Sequence, residues 1–127
     1  MSLQVQGTND SSIVSKCSMV DRGYFNDNYI HCFVEKTARR SPIINIGYYV
    51  RAAVIDSVLK DFVHSLSGAV QIVSFGAGFD TSFFRLSDYP TKCSFAYYEI
   101  DLSNVVRRKK KIILNSKVLL DKLENAI

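Results

Sequence analysis

The sequence predicts an α/β fold with an incomplete parallel sheet, and three observations carry that expectation. The first is a short continuous apolar run, Ile72-Val73-Ser74-Phe75, of the kind that marks a buried parallel strand. The second is the break that follows, Gly76-Ala77-Gly78-Phe79-Asp80, where two residues without Cβ permit a tight turn and a close backbone approach to a ligand. The third is another apolar run, Phe95-Ala96-Tyr97-Tyr98, which closes on Glu99-Ile100-Asp101 and sets an acid at a strand's carboxyl end. Strand, glycine turn, short helix and strand make half of a nucleotide-binding α/β unit, whose ligand sits where the strands stop.

The elements follow in order. Residues 1–10 are polar and expected to be irregular. Asn9-Asp10-Ser11-Ser12 offers N-cap chemistry for a helix through Ile13, Val14, Cys17 and Met19-Val20, stopping before Gly23. A short second helix is expected over Asn28–Lys36, broken by Arg39-Arg40-Ser41-Pro42 because proline disfavours a helical residue before it. The longest helix is expected from about Asn45 to Leu66. Tyr48, Ala52, Ile55, Leu59, Phe62 and Leu66 recur there at spacings of three and four, as one apolar face. Gly68 ends it before the first strand. Asp80 is placed to cap a helix through Phe83-Phe84-Arg85-Leu86, and Ser103 or Asn104 to cap the helix after the second strand. The tail Val118–Leu123 also reads as helical. Two strands against four or five helices leave a sheet well short of the usual ~5–6 strands. Either the chain is a fragment or another chain completes the sheet.

At 127 residues the chain makes one domain at most, and 47% hydrophobic with 22% charged residues indicates a soluble globular protein. No apolar run approaches the ~18 residues of a membrane span. Met1-Ser2-Leu3-Gln4 has neither the basic start nor the apolar core of a signal peptide. Cys17, Cys32 and Cys93 are odd in number and widely spaced, so free thiols in a reducing, cytoplasmic setting are expected. His31 and His64 show no ligand-like spacing, and His31 and Cys32 would diverge on a helix; no metal site is expected. Neither a G-x-S-x-G elbow nor a convincing nucleophile–base pair is present. Arg107-Arg108-Lys109-Lys110-Lys111 supplies much of the net charge of +4. Such a run is usually a solvated helix face, and its functional alternative is contact with RNA phosphates.

The glycine turn narrows the ligand. The dinucleotide fingerprint wants a third glycine three residues beyond Gly78, where Thr81 stands, and Asp80 would set negative charge beside a pyrophosphate. A nicotinamide cofactor is therefore disfavoured, and a nucleoside with a cationic or zwitterionic tail, S-adenosylmethionine above all, fits better. Glu99 and Asp101 lie 21 and 23 residues beyond Gly78. The expected offset for a carboxylate that accepts ribose hydroxyls is about 20. The plain alternative is an ordinary surface acid at a strand end. For Lys16, within the first helix, and Arg51, near the start of the longest, the plain alternative is a solvated side chain.

Several ordered blocks together resemble the leucine carboxyl methyltransferase family of S-adenosylmethionine-dependent enzymes. They are Val5-Gln6-Gly7-Thr8, Ser15-Lys16, Gly23-Tyr24, Arg40-Ser41-Pro42-Ile43-Ile44-Asn45, Gly47-Tyr48-Tyr49-Val50-Arg51, Gly76-Ala77-Gly78-Phe79-Asp80-Thr81 and Glu99-Ile100-Asp101. Thr8–Ser12, Ala38–Pro42 and Gly47–Arg51 look most like the tRNA wybutosine-synthesizing branch. A sister branch methylates the C-terminal leucine carboxylate of the phosphatase 2A catalytic subunit.

The resemblance implies the N-terminal part of a class I, Rossmann-like methyltransferase fold, with residues 1–66 a helical region and 67–127 the start of the cofactor-binding sheet. It implies that Lys16 and Arg51 hold the methionine carboxylate of S-adenosylmethionine. Gly76, with Gly78, would let the backbone approach the cofactor, and Asp101 would accept the ribose hydroxyls, with Glu99 a close second candidate. Ile46 departs from the basic residue frequent before the Gly-Tyr pair. Family members also continue well past this length. The expected reaction is methyl transfer to a carboxylate on a modified tRNA guanosine or, alternatively, on the phosphatase. A non-catalytic module that binds a partner is the rival from another class.

Overall fold

The structure, a computed structural model, describes residues 2–124. Its elements run α1 (Ser2–Asp21), a 3-10 turn (Ile30–Phe33), α2 (Pro42–Ser65), β1 (Gly68–Phe75), α3 (Ser82–Ser87), β2 (Cys93–Ile100), α4 (Ser103–Leu114) and α5 (Lys117–Glu124). The strands pair in parallel, from Gly68 opposite Cys93 to Phe75 opposite Ile100, with α3 in the connection. This is a partial Rossmann-like α/β fold with helices ahead of an open two-stranded sheet. Among the described residues, no helix is long and apolar enough to cross a membrane.

The first helix starts eight residues before the Asp10 cap region suggested. Asn9 and Asp10 lie inside α1, where their side chains reach other elements: Asn9 Oδ1 accepts from the Phe79 amide at 3.0 Å, and Asp10 pairs with Arg108 at 3.0 Å. Capping chemistry in a sequence marks a residue that can take a backbone amide, and here the amide is 70 residues away. The short helix expected over Asn28–Lys36 contracts to the single 3-10 turn. Asp27 causes this, because its Oδ1 accepts from the amides of Tyr29 and Ile30, at 2.9 and 3.1 Å, and holds the chain in a side-chain-closed turn.

Helix α2 begins at Pro42, the first helical position, where a missing N–H costs nothing. The predicted stripe is only half correct. Tyr48, Ala52 and Leu59 are partly covered, whereas Ile55 and Phe62 stay exposed, and the fully buried positions are Asn45 and Val63. The seam is displaced because a polar joint sets the angle between α1 and α2. Ser18 Oγ donates to Asn45 Oδ1 (2.9 Å) and accepts from the Arg40 amide (3.0 Å), while Arg40 Nε donates to Ser15 Oγ (3.1 Å). Ser15, Ser18 and Asn45 are buried, so every partner matters.

The larger apolar core gathers Ile13, Cys17, Ile30, Phe33, Phe79, Phe84, Val105 and Leu119 from six segments. A smaller one joins Val63, Leu86 and Cys93 beneath β1 and β2. Between them lies a charged staple. Arg85 Nη1 donates to Asp27 Oδ2 and its Nε to Asp56 Oδ1, both at 3.1 Å, tying α3 to the 25–29 loop and to α2.

Candidate functional site

The site grows out of the turn after β1. Gly76 and Gly78 adopt φ of 65° and 54°, a region that side chains rarely enter. A Cβ at Gly78 would also stand 2.6 Å from Asn9 Oδ1. The Gly76 amide donates to Ile100 O at 2.7 Å, which carries the sheet register into the turn. Gly78 N donates to Asp101 Oδ2 at 2.6 Å, and Leu102 N to Asp101 Oδ1 at 2.6 Å. Asp101 therefore closes the gap between the two strand ends.

A cavity of about 300 Å³ opens over this turn, lined by Thr8, Asn9, Ser12 and Lys16 of α1 on one side and by Gly76, Gly78 and Asp101 on the other. Lys16 reaches Asp80 Oδ1 at 3.5 Å. Beyond Lys16 a smaller space of about 50 Å³ is lined by Lys16, Tyr48, Arg51, Asp80 and Arg85. Arg51 lies over the Tyr48 ring, with its guanidinium carbon 5.9 Å from the centroid. On the far side of Gly78 and Asp101 a third cavity of about 240 Å³ has an apolar wall of Val106, Ile113, Leu114 and Leu123. Lys16, Gly76, Gly78 and Asp101 thus meet around one cavity, Arg51 joins through the wall it shares with Lys16, and Glu99 lines the third.

Glu99 differs from Asp101 in its partners. Its Oε2 accepts from Lys109 Nζ at 2.6 Å, and the same ammonium donates to Asp80 O at 2.7 Å. The Lys109 side chain is 6% exposed and lies over the Phe33 ring. The basic run is thereby divided. Lys109 points inward, Arg108 pairs with Asp10 across Phe79, and Arg107, Lys110 and Lys111 stay exposed. A run of five cations hides which one is buried; the period of the helix, with Val105 and Lys109 on one face, is the signal that could have found it.

Burial pushes the Glu99 carboxyl up, against the pull of Lys109 and with the help of Asp80 and Asp101. Asp80 goes the other way: burial raises it, but Lys16, a hydrogen bond from Ser82, Arg85 and Lys109 together hold its carboxyl below the usual range. Burial, with Asp21 and Asp27 nearby, pushes the Cys17 thiol up to about 11. Burial, with Asp80 and Glu99, pushes the Tyr97 phenol up to about 12. Both are neutral at physiological pH, so neither supplies an ionised nucleophile. The arrangement suits recognition: a cation for a ligand carboxylate, glycine backbone for close approach, an acid for hydroxyls and an apolar slot beside them.

These features make a partial Rossmann-like α/β unit with a glycine turn and an acid at its strand ends. The sequence model described as leucine carboxyl methyltransferase matches residues 9–124, and the chain belongs to that family. It is 45% identical over 120 residues to the leucine carboxyl methyltransferase 1 homolog of Arabidopsis thaliana, covering 94% of this chain and 36% of that protein. It is 40% identical over 114 residues to tRNA wybutosine-synthesizing protein 4 of Homo sapiens, covering 86% of this chain and 17% of that protein. Against leucine carboxyl methyltransferase 1 of Caenorhabditis elegans the figures are 38% over 115 residues, with 87% and 34% covered. The chain spans about a third or less of the length of these relatives.

Proposed function

We propose that the chain is the N-terminal portion of an S-adenosylmethionine-dependent carboxyl methyltransferase domain acting in the cytoplasm. The observation that carries this reading is the convergence of Lys16, the Gly76–Gly78 turn and Asp101 on one cavity, with Arg51 behind Lys16. Lys16 and Arg51 hold the methionine carboxylate, Lys16 exchanging its contact with Asp80 for the ligand. Gly76 and Gly78 allow the tail to lie against the backbone, and Asp101 accepts the ribose hydroxyls. The cofactor, when bound, supplies an electrophilic methyl group on a sulfonium. An ionised acceptor carboxylate needs alignment and loss of its water rather than a general base, in keeping with neutral Cys17 and Tyr97.

The acceptor we propose first is a carboxylate on a modified tRNA guanosine. The Thr8–Ser12, Ala38–Pro42 and Gly47–Arg51 wording supports it, and the exposed Arg107, Lys110 and Lys111 offer cations to phosphates. The C-terminal leucine carboxylate of the phosphatase 2A catalytic subunit is the second reading, favoured by the 45% identity to the Arabidopsis relative. A non-catalytic module is the third, favoured by the bare apolar sheet face of Val73, Phe75, Tyr98 and Ile100.

Calorimetric titration with S-adenosylmethionine tests the cofactor site. Arg51→Ala and Asp101→Ala should each weaken binding by about tenfold or more, the loss of one charge-assisted contact; unchanged affinity in both removes the reading. Methyl-transfer assays offering modified tRNA and the phosphatase separately decide the acceptor. Transfer to neither, with a stable complex on gel filtration, favours the module.

A further inference from the structure

Toward the carboxyl end of α1, three unlike side chains converge. Cys17 and Asp21 stand one helical turn apart on one face of α1. The chain then reverses at Gly23, whose φ is 77° and whose amide donates to Val20 O at 2.9 Å, and returns through the 3-10 turn that carries His31. Cys17 Sγ lies 3.6 Å from His31 Nδ1 and 3.8 Å from Asp21 Oδ2. His31 Nε2 lies 3.1 Å from Asp21 Oδ1.

We propose that Cys17, Asp21 and His31 form a site for a single thiophilic divalent cation, Zn²⁺, with water as the fourth ligand. Zinc takes sulfur at ~2.3 Å and nitrogen or oxygen at ~2.0–2.2 Å, so the edges of its tetrahedron from sulfur run about 3.6 Å. The sulfur–nitrogen and sulfur–oxygen separations are already within a few tenths of an ångström of that. Nδ1 of the imidazole and Oδ2 of the carboxylate both face the Cys17 sulfur, so each can offer a lone pair to an ion seated beside it. Thiolate and carboxylate together balance the charge of the ion, and uptake releases the thiol proton to solvent.

Access is from one side. Cys17 is fully buried, whereas the Asp21 and His31 side chains are 40% and 54% exposed and close over the sulfur from the solvent side. A catalytic thiol needs an open path for substrate to sulfur, and the burial of Cys17 excludes that use of the same three residues. A bound ion would fasten the 3-10 turn to the carboxyl-terminal half of α1, the helix that carries Lys16. The site lay outside sequence reasoning because its ligands come from two elements, at positions 17, 21 and 31, with no C-x-x-C or H-x-x-x-H spacing. It is independent of the methyl-transfer reading.

Titration of the chelator-treated, reduced protein with zinc chloride tests it, followed by substitution with Co²⁺. One Zn²⁺ should bind per chain, and Co²⁺ should give the near-ultraviolet thiolate charge-transfer band of a tetrahedral site. His31→Gln, at an exposed position, should keep the fold and weaken Zn²⁺ binding by at least about tenfold, since even supporting residues around metal ligands cost that much. Cys17→Ser should abolish the cobalt band, and Cys32→Ser should retain it. No saturable Zn²⁺ binding, binding indifferent to His31→Gln, or a band that follows Cys32 instead of Cys17 each overturns the proposal. If Cys17→Ser does not fold, His31→Gln decides alone.

Discussion

The two faces of the β1–β2 sheet are made from alternate residues of the same strands, yet they have different environments. On one face, Val70, Ile72, Phe95 and Tyr97 pack beneath α2 and α3, and Glu99 holds Lys109. On the other, Val73, Phe75, Tyr98 and Ile100 are exposed, Phe75 at 79%. An antiparallel sheet with one wet face would alternate apolar and polar residues; these strands are apolar in both directions, as strands covered on both sides are. The difference teaches that the sequence of a strand records the full set of its neighbours, whereas the described residues supply neighbours for one face only. The cradle belongs to the supplied side, where α1, α4 and the strand ends meet.

The comparison is sharpened most by truncating one phenylalanine on each side. Phe84, 2% exposed in the main core, should cost about 3–5 kcal/mol on substitution by alanine. Phe75→Ala should stay within about 0.5 kcal/mol in the isolated chain. Urea unfolding measures both, and a large loss at Phe75 would show that its face is covered in solution. Next come two charge pairs. Asp27→Ala strips the buried Arg85 of one of its two carboxylates and the Tyr29 and Ile30 amides of their acceptor, and should cost about 3 kcal/mol. Asp10→Ala, removing the half-exposed partner of Arg108, should cost less than about 1 kcal/mol.

Two acids on the supplied side give a subtler contrast. Asp101→Asn should weaken S-adenosylmethionine about tenfold, while Glu99→Gln should lower the urea midpoint and leave affinity within about threefold. Calorimetry and unfolding on the same two variants check it, and the reverse pattern would exchange their roles. The smallest effect is in acid. Asp80 has a folded pKa below its unfolded value, so it contributes stability above about pH 4, lost as pH falls through the folded value. Asp80→Asn should therefore be less stable than the parent at pH 7, with the gap narrowing toward pH 2, as urea midpoints at the two pH values would show.

Much of this arrangement was legible in the residues. The runs 72–75 and 95–98 fall inside β1 and β2, and the glycines fall in a turn that only positive φ can make. Local patterns suffice there, since a strand's burial and a glycine's freedom are properties of a few neighbouring residues. What escaped depends on partners distant in sequence. Asn9 serves the Phe79 amide, Asp27 serves both a local turn and Arg85, and Lys109 leaves a solvated-looking run to meet Glu99. Each is a polar residue whose partner is set by another element; the helix period could single out Lys109, whereas for Asn9 and Asp27 hydrophobic periodicity carries no information. Of the cradle's members, Gly76, Gly78, Glu99 and Asp101 were read from the turn and the spacing, whereas Lys16 and Arg51 were named from family likeness; the α1–α2 joint at Ser15, Ser18, Arg40 and Asn45 fixes the two helices that carry them.

Asp101 has one consequence for affinity. Both its oxygens already accept a backbone amide, from Gly78 and from Leu102, so the carboxylate has no rotameric freedom left to lose when a ligand arrives. Each oxygen keeps a second lone pair, enough for a vicinal diol. On the proposed reading, an ordering cost that a free surface acid would incur at every binding event is met once, during folding, and the ribose would find a rigid receptor in place of a swinging one.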